Sequence, residues 1–128
     1  MDTSNNIVMQ KSFDFSLRIV RLRKYLSQEA PVKELDISRQ LLRSGTSIGA
    51  NIEVAQGAQS SSDFLSKMSI AYKEARESRY WIRLLAGADY ISAAAEESLL
   101  NDIEELCKLL GSIIVATKET IRLNESKK

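Results

Sequence analysis

The chain of 128 residues has no histidine, one cysteine and one proline. Without an imidazole there is no Ser-His or Cys-His dyad, and with a single thiol there is no zinc site of the usual kind. The lone cysteine, Cys107, also excludes an internal disulfide and a CxxC pair. It stands among Leu106, Leu109 and Leu110 and reads as a small apolar side chain rather than a reactive thiol. Aromatic residues make up only 6% of the chain, and five glycines and one proline leave few turn residues for a sheet protein. No stretch approaches the ~20 apolar residues that a membrane span needs. The opening segment, MDTSNNIVMQK, lacks a basic region followed by a long apolar run. These absences point to a cytoplasmic chain with no membrane partner and no cofactor.

What is present is aliphatic and periodic, with 44% apolar residues recurring at helical spacing. The pattern predicts an all-α chain, an antiparallel up-down four-helix bundle in a single domain of residues 1–128, with 1–10 and 124–128 fraying. The first helix is expected from about Ser12 to Ala30 and stops before Pro31. It carries two apolar stripes, Phe15, Ile19, Leu22 and Leu26 on one side and Phe13, Leu17 and Val20 nearly opposite, so it calls for two partners. The second helix starts near Asp36 or Ser38 and fades around Gly57. Ser60 and Asp63 form a weak capping box for the third, which runs to about Ala86 before a Gly87-to-Tyr90 loop. Ser92 caps the last helix, whose seam of Leu99, Ile103, Leu106, Leu110, Ile113, Thr117 and Ile121 is widened on one side by Leu100, Cys107, Gly111 and Ile114. That extra width suggests a subunit contact.

The stretch Arg39 to Gln59, RQLLRSGTSIGANIEVAQGAQ, keeps a helical period while carrying glycines and small polar residues. Each glycine costs roughly 1 kcal/mol relative to alanine in a helix. Gly45 and Gly49, one turn apart beside the apolar face, are therefore expected at a close helix crossing, with Ser47 and Asn51 in a hydrogen-bond network between helices. The Gly45-to-Gly49 spacing also occurs in membrane helix pairs, but Arg39, Arg43 and Glu53 flank it too closely for that role.

The run RSGTSIGANI, preceded by Lys11-Ser12-Phe13 and followed by DFLSKMSIAYKEARESRYWIRLL from Asp63 to Leu85, resembles the bacterial four-helix-bundle proteins known as 23S rRNA intervening-sequence proteins. The resemblance covers roughly residues 10–120 and is carried by Arg43, Ser47, Gly49, Asn51, Phe64, Ile70, Ala71, Glu74 and Trp81. Val54 departs from it, because many relatives place a second acidic residue there. The resemblance implies a small antiparallel protein that assembles into a homopentameric ring and has no established activity. A similar fold serves as the accessory protein of diversity-generating retroelements, which implies binding to nucleic acid and to a reverse transcriptase or a ribosomal partner.

Net charge is only +1, but it is unevenly placed. Arg18, Arg21, Arg23 and Lys24 have no acid among them, and Glu96, Glu97, Asp102, Glu104 and Glu105 have no base among them. Arg76, Arg79 and Arg83 fall within about a 60° arc of the third helix by the helical period. Arg39 and Arg43 on the second helix, and Arg18 and Arg21 on the first, extend a possible phosphate-binding surface. The same stripes are also compatible with ordinary solvated faces. Asn51, Glu53 and Glu74 define no reaction without a nucleophile, a histidine or a second metal-type cluster. Tyr80 and Trp81 could stack on bases, but a large aromatic at the edge of a bundle is more often an anchor for packing or for a subunit interface. The reading is a non-enzymatic ring-forming bundle that binds RNA or DNA, or a ribonucleoprotein, through arginines; the alternative is a structural adaptor that binds another protein.

Overall fold

A computed structural model describes residues 3–28 and 36–127. Four helices follow in order: α1 (Thr3–Gln28), α2 (Asp36–Ala55), α3 (Ser61–Gly87) and α4 (Ala93–Ser126). Among the described residues there is no strand. Each helix packs on the next and α4 closes back on α1, the α2–α3 seam being the most extensive and the α1–α4 seam the least. Cross-contacts fix the antiparallel sense, since Lys11 meets Glu105 while Arg18 meets Asp102. The expected stop at Pro31 lies outside the described residues.

The start of α1 differs from the sequence reading by nine residues. Val8 continues the seam of Phe15, Ile19 and Leu26 and is fully buried, which ties the first turns to the bundle. Ser12 interrupts that seam in the sequence, yet it is buried too, because its hydroxyl donates to the Met9 carbonyl at 3.0 Å. A serine satisfied within its own helix occupies a core position at little polar cost.

The remaining boundaries have local causes. Ser60 and Ser92 accept the amide hydrogens of Asp63 and Ala95, at 3.0 and 3.1 Å, and so cap α3 and α4. The Asp63 carboxylate reaches back to the Gln59 amide at 3.3 Å rather than to that of Ser60. At the end of α3 the Tyr90 amide donates to the Leu85 carbonyl and the Asp89 amide to that of Ala86, closing the helix with Asp89 at φ 67. This is the hydrogen-bond pattern that usually takes glycine at the left-handed position; here an aspartate fills it and Gly87 stays helical. At the other end α4 remains helical to Ser126, with its last residues exposed.

The α1–α2 crossing is close. A Cβ at Gly45 would lie 3.0 and 3.1 Å from the two γ carbons of Ile19, and one at Gly49 would lie 3.2 Å from Ser16 Oγ and 3.4 Å from the Ser12 carbonyl oxygen. At both positions an added methyl is crowded by the neighbouring helix, not by backbone conformation, and more tightly at Gly45 than at Gly49. The core itself is aliphatic, with Leu41, Ile48, Ile52, Met68, Ile82, Ile103, Leu106 and Leu110 all essentially inaccessible.

Candidate nucleic-acid interface

The basic residues divide into those already paired and those left open. Arg18 donates to Asp102 at 2.5 Å across the α1–α4 seam, and Lys11 pairs with Glu105 at 2.7 Å beside it. Glu105 holds the Lys11 ammonium above the usual lysine range through that hydrogen bond. The basic run of α1 and the acidic run of α4 thus meet inside one chain at Arg18–Asp102, and Lys11, which precedes the basic run, makes the second contact. Antiparallel closure of the bundle brings these stretches of α1 and α4 face to face. Arg21 remains exposed above the same seam, in a hollow it shares with Asp14 and Glu105.

Arg43 is also committed. Its guanidinium donates from Nη1 to Glu74 Oε2 at 2.8 Å and from Nη2 to Glu77, so one arginine of α2 clamps two carboxylates one turn apart on α3. Glu74 is only 6% exposed. A nearly buried carboxylate needs a charge partner, and Arg43 supplies it. Glu77 accepts a further hydrogen bond from Trp81 Nε1 at 3.0 Å, which fixes the half-buried indole. Arg39 lies 3.6 Å from Asp36 within its own helix.

Among the described residues, Ser47 and Asn51 hydrogen-bond to no other helix. Ser47 Oγ donates to the Arg43 carbonyl at 2.6 Å and Asn51 Nδ2 to the Ser47 carbonyl at 2.8 Å, both one turn back on α2. They sit on the flank of the buried face, where the nearest acceptor is their own backbone. A buried link between the hydroxyls of two helices is instead Ser78 donating to Ser44 at 2.8 Å, with both side chains fully buried. The sequence signal for it was present, a serine in register with the apolar seam on each helix, but the partner stands 34 residues away.

Arg76, Arg79 and Arg83 have a different environment. All three are exposed on the side of α3 that borders α4. None has an ion-pair partner among the described residues. Arg76 and Arg79 line a hollow of about 350 Å³ between α3 and α4 together with Tyr72, Cys107, Glu104 and Lys108. A second hollow of about 650 Å³ continues it past Ser69 to Lys118 and Val115. Lys108 and Lys118 are bases that the sequence reading did not connect to the arginines, because they come from α4. Cys107 is half-buried on the floor, and burial pushes its thiol up from the ordinary value, with Glu104 adding to the rise while Arg76 and Arg79 pull it down.

Another large hollow offers a contrast. It opens at the end of the bundle where α1 and α3 begin, holds about 670 Å³, and is lined by hydroxyls and amides such as Ser4, Asn5, Gln56 and Thr117, without a charged side chain among the described residues. Phosphate binding needs fixed positive charge, so the α3–α4 groove is the stronger candidate. Among the described residues no group of three or more acidic, cysteine or histidine side chains could hold a metal ion, and no helix is long and apolar enough to cross a membrane.

Comparison with known proteins fits this architecture. A family model described as 23S rRNA-intervening sequence protein matches residues 4–112. A crystal structure from Bacteroides thetaiotaomicron VPI-5482, described as a protein with unknown function from the S23 ribosomal protein family, superposes with a TM-score of 0.83. It is 50% identical over 88% of this chain and 98% of its own. No curated protein matches the chain.

Proposed function

This chain belongs to the 23S rRNA-intervening sequence protein family, and from that premise we propose that it is a non-enzymatic bundle that forms a ring of five and binds nucleic acid or a ribonucleoprotein through α3. The observation that carries the binding reading is the contrast among arginines. Arg18 and Arg43 spend their charge on Asp102, Glu74 and Glu77, whereas Arg76, Arg79 and Arg83 stand exposed in one row. A partner with regularly spaced phosphates satisfies such a row, and repetition around a ring multiplies the effect. The ring reading is supported by apolar side chains that the single bundle leaves in water, with Phe13 59% and Val115 69% exposed. The non-enzymatic reading rests on the lack of histidine and on the use of Glu74 as a structural partner of Arg43.

The same exposed Phe13 and Val115 favour a second reading, a structural adaptor whose partner is a protein. One experiment separates the two. Reversing Arg76, Arg79 and Arg83 to glutamate is expected to abolish binding to RNA and DNA of any sequence while light scattering still returns the wild-type mass. Normal binding by the triple variant contradicts the α3 surface; a monomeric variant assigns the arginines to subunit contacts and favours the adaptor.

A further inference from the structure

Resting on the reading of α3 as the nucleic-acid surface, we infer that the α3–α4 groove takes single-stranded nucleic acid in preference to a duplex, with phosphates on Arg76, Arg79, Arg83, Lys108 and Lys118 and bases against Tyr80 and Tyr72. Three observations lead there. The bases come from both walls, so positive charge follows a groove rather than a ridge. From Ser69 to Arg79 those two hollows follow about 15 Å of α3, at 1.5 Å per residue, and Arg83 lines a separate hollow farther along the helix with Tyr80 and Glu96.

Second, aromatic rings alternate with the cations. Tyr72 lines both hollows, half-buried among Cys107 and Lys108. Tyr80 is 53% exposed beside Arg83 and is held edge-on to Trp81, with ring centroids 5.2 Å apart. Trp81 is locked by Glu77, which leaves Tyr80 as the ring open to a ligand. Rings interleaved with cations along a groove are what a single strand uses, since every unpaired base has a face to stack.

Third, the geometry disfavours duplex readout. A helix that reads a major groove must protrude, but α3 is flanked by both α2 and α4. Packed helix axes lie about 8–10 Å apart, so the floor of the groove at Tyr72 and Cys107 is within reach of an unpaired strand and not of a duplex. Glu104 on the α4 wall opposes phosphate at the middle of the path.

The test is fluorescence anisotropy of the full chain with a 20-nucleotide oligouridine and a duplex RNA of the same length at one salt concentration. The single strand is expected to bind at least tenfold tighter. Tyr80→Leu, at an exposed position, is expected to weaken single-strand binding about tenfold, the loss of one stacked base, and to leave duplex binding unchanged. Tyr80→Phe keeps the ring and restores the affinity, and Glu104→Gln raises it. Oligouridine is expected to slow alkylation of Cys107, the only thiol in the chain. Equal affinity for strand and duplex, or Cys107 alkylation unaffected by the strand, overturns the inference while leaving nucleic-acid binding in place. If neither ligand binds, the underlying assignment of α3 fails and the inference falls with it.

Discussion

Replacing single glycines by alanine separates two opposing effects at the α1–α2 crossing. Removing a glycine from a helix interior favours the folded state by about 1 kcal/mol, because alanine loses less backbone freedom. At Gly111 a new Cβ meets nothing within 4 Å, so that gain is realised in full. At Gly45 the same methyl would sit 3.0 Å from Ile19 Cγ1, 3.1 Å from Cγ2 and 3.4 Å from Cβ. Ile19 is 1% exposed and β-branched, so its Cβ cannot swing away and the helices must part. Overpacking of that kind costs about 1–3 kcal/mol, which makes Gly45→Ala destabilising by up to about 2 kcal/mol once the propensity gain is subtracted. Gly49→Ala falls between them. Its nearest obstacle, Ser16 Oγ at 3.2 Å, can rotate, but the Ser12 carbonyl oxygen at 3.4 Å is backbone. Gly49→Leu has no such room and is expected to cost about 1–3 kcal/mol. Urea denaturation measures the series at one protein concentration. The expected order is Gly111→Ala above wild type and Gly45→Ala below it; Gly45→Ala as stabilising as Gly111→Ala refutes the close crossing.

Two further outcomes follow from the polar contacts between α2 and α3. Arg43→Ala is expected to destabilise by about 1–3 kcal/mol, less than for a fully buried pair because the arginine is half exposed, whereas Arg76→Ala stays within about 0.5 kcal/mol; equal effects in thermal melts contradict the division into paired and open arginines. In a double-mutant cycle, Ser44→Ala alone leaves the buried Ser78 hydroxyl without its acceptor and is expected to cost about 1–3 kcal/mol, while Ser44→Ala with Ser78→Ala costs less than the sum; additive single effects contradict the shared hydrogen bond.

The fold was legible because its signals are local. The seams of α3 and α4, the caps at Ser60 and Ser92 and the glycines beside Ile48 all lie within a few turns of the residues they serve. The early start of α1 was missed because a buried serine, Ser12, looks like the end of an apolar seam when its bond to the Met9 carbonyl is not seen. The site was legible only in part. Spacing alone placed Arg76, Arg79 and Arg83 on one side of α3. It gave no means of knowing that Arg43 is consumed by Glu74 and Glu77 more than 30 residues away, or that Arg18 faces Asp102. Charge stripes read from one helix omit what the neighbouring helix brings, here both the acids that cancel Arg18 and Arg43 and the lysines of α4 that reinforce Arg76 and Arg79.

The salt dependence of binding tests the central claim most directly. Each phosphate contact on a single strand contributes about 0.7 to the slope of log affinity against log salt concentration. Measured by anisotropy between low and moderate salt, wild-type affinity is expected to fall steeply, and replacing Arg76, Arg79 and Arg83 by glutamine is expected to flatten the slope by about 2. An unchanged slope in the triple variant, or a wild-type affinity indifferent to salt, contradicts the assignment of α3 as the surface that holds nucleic acid.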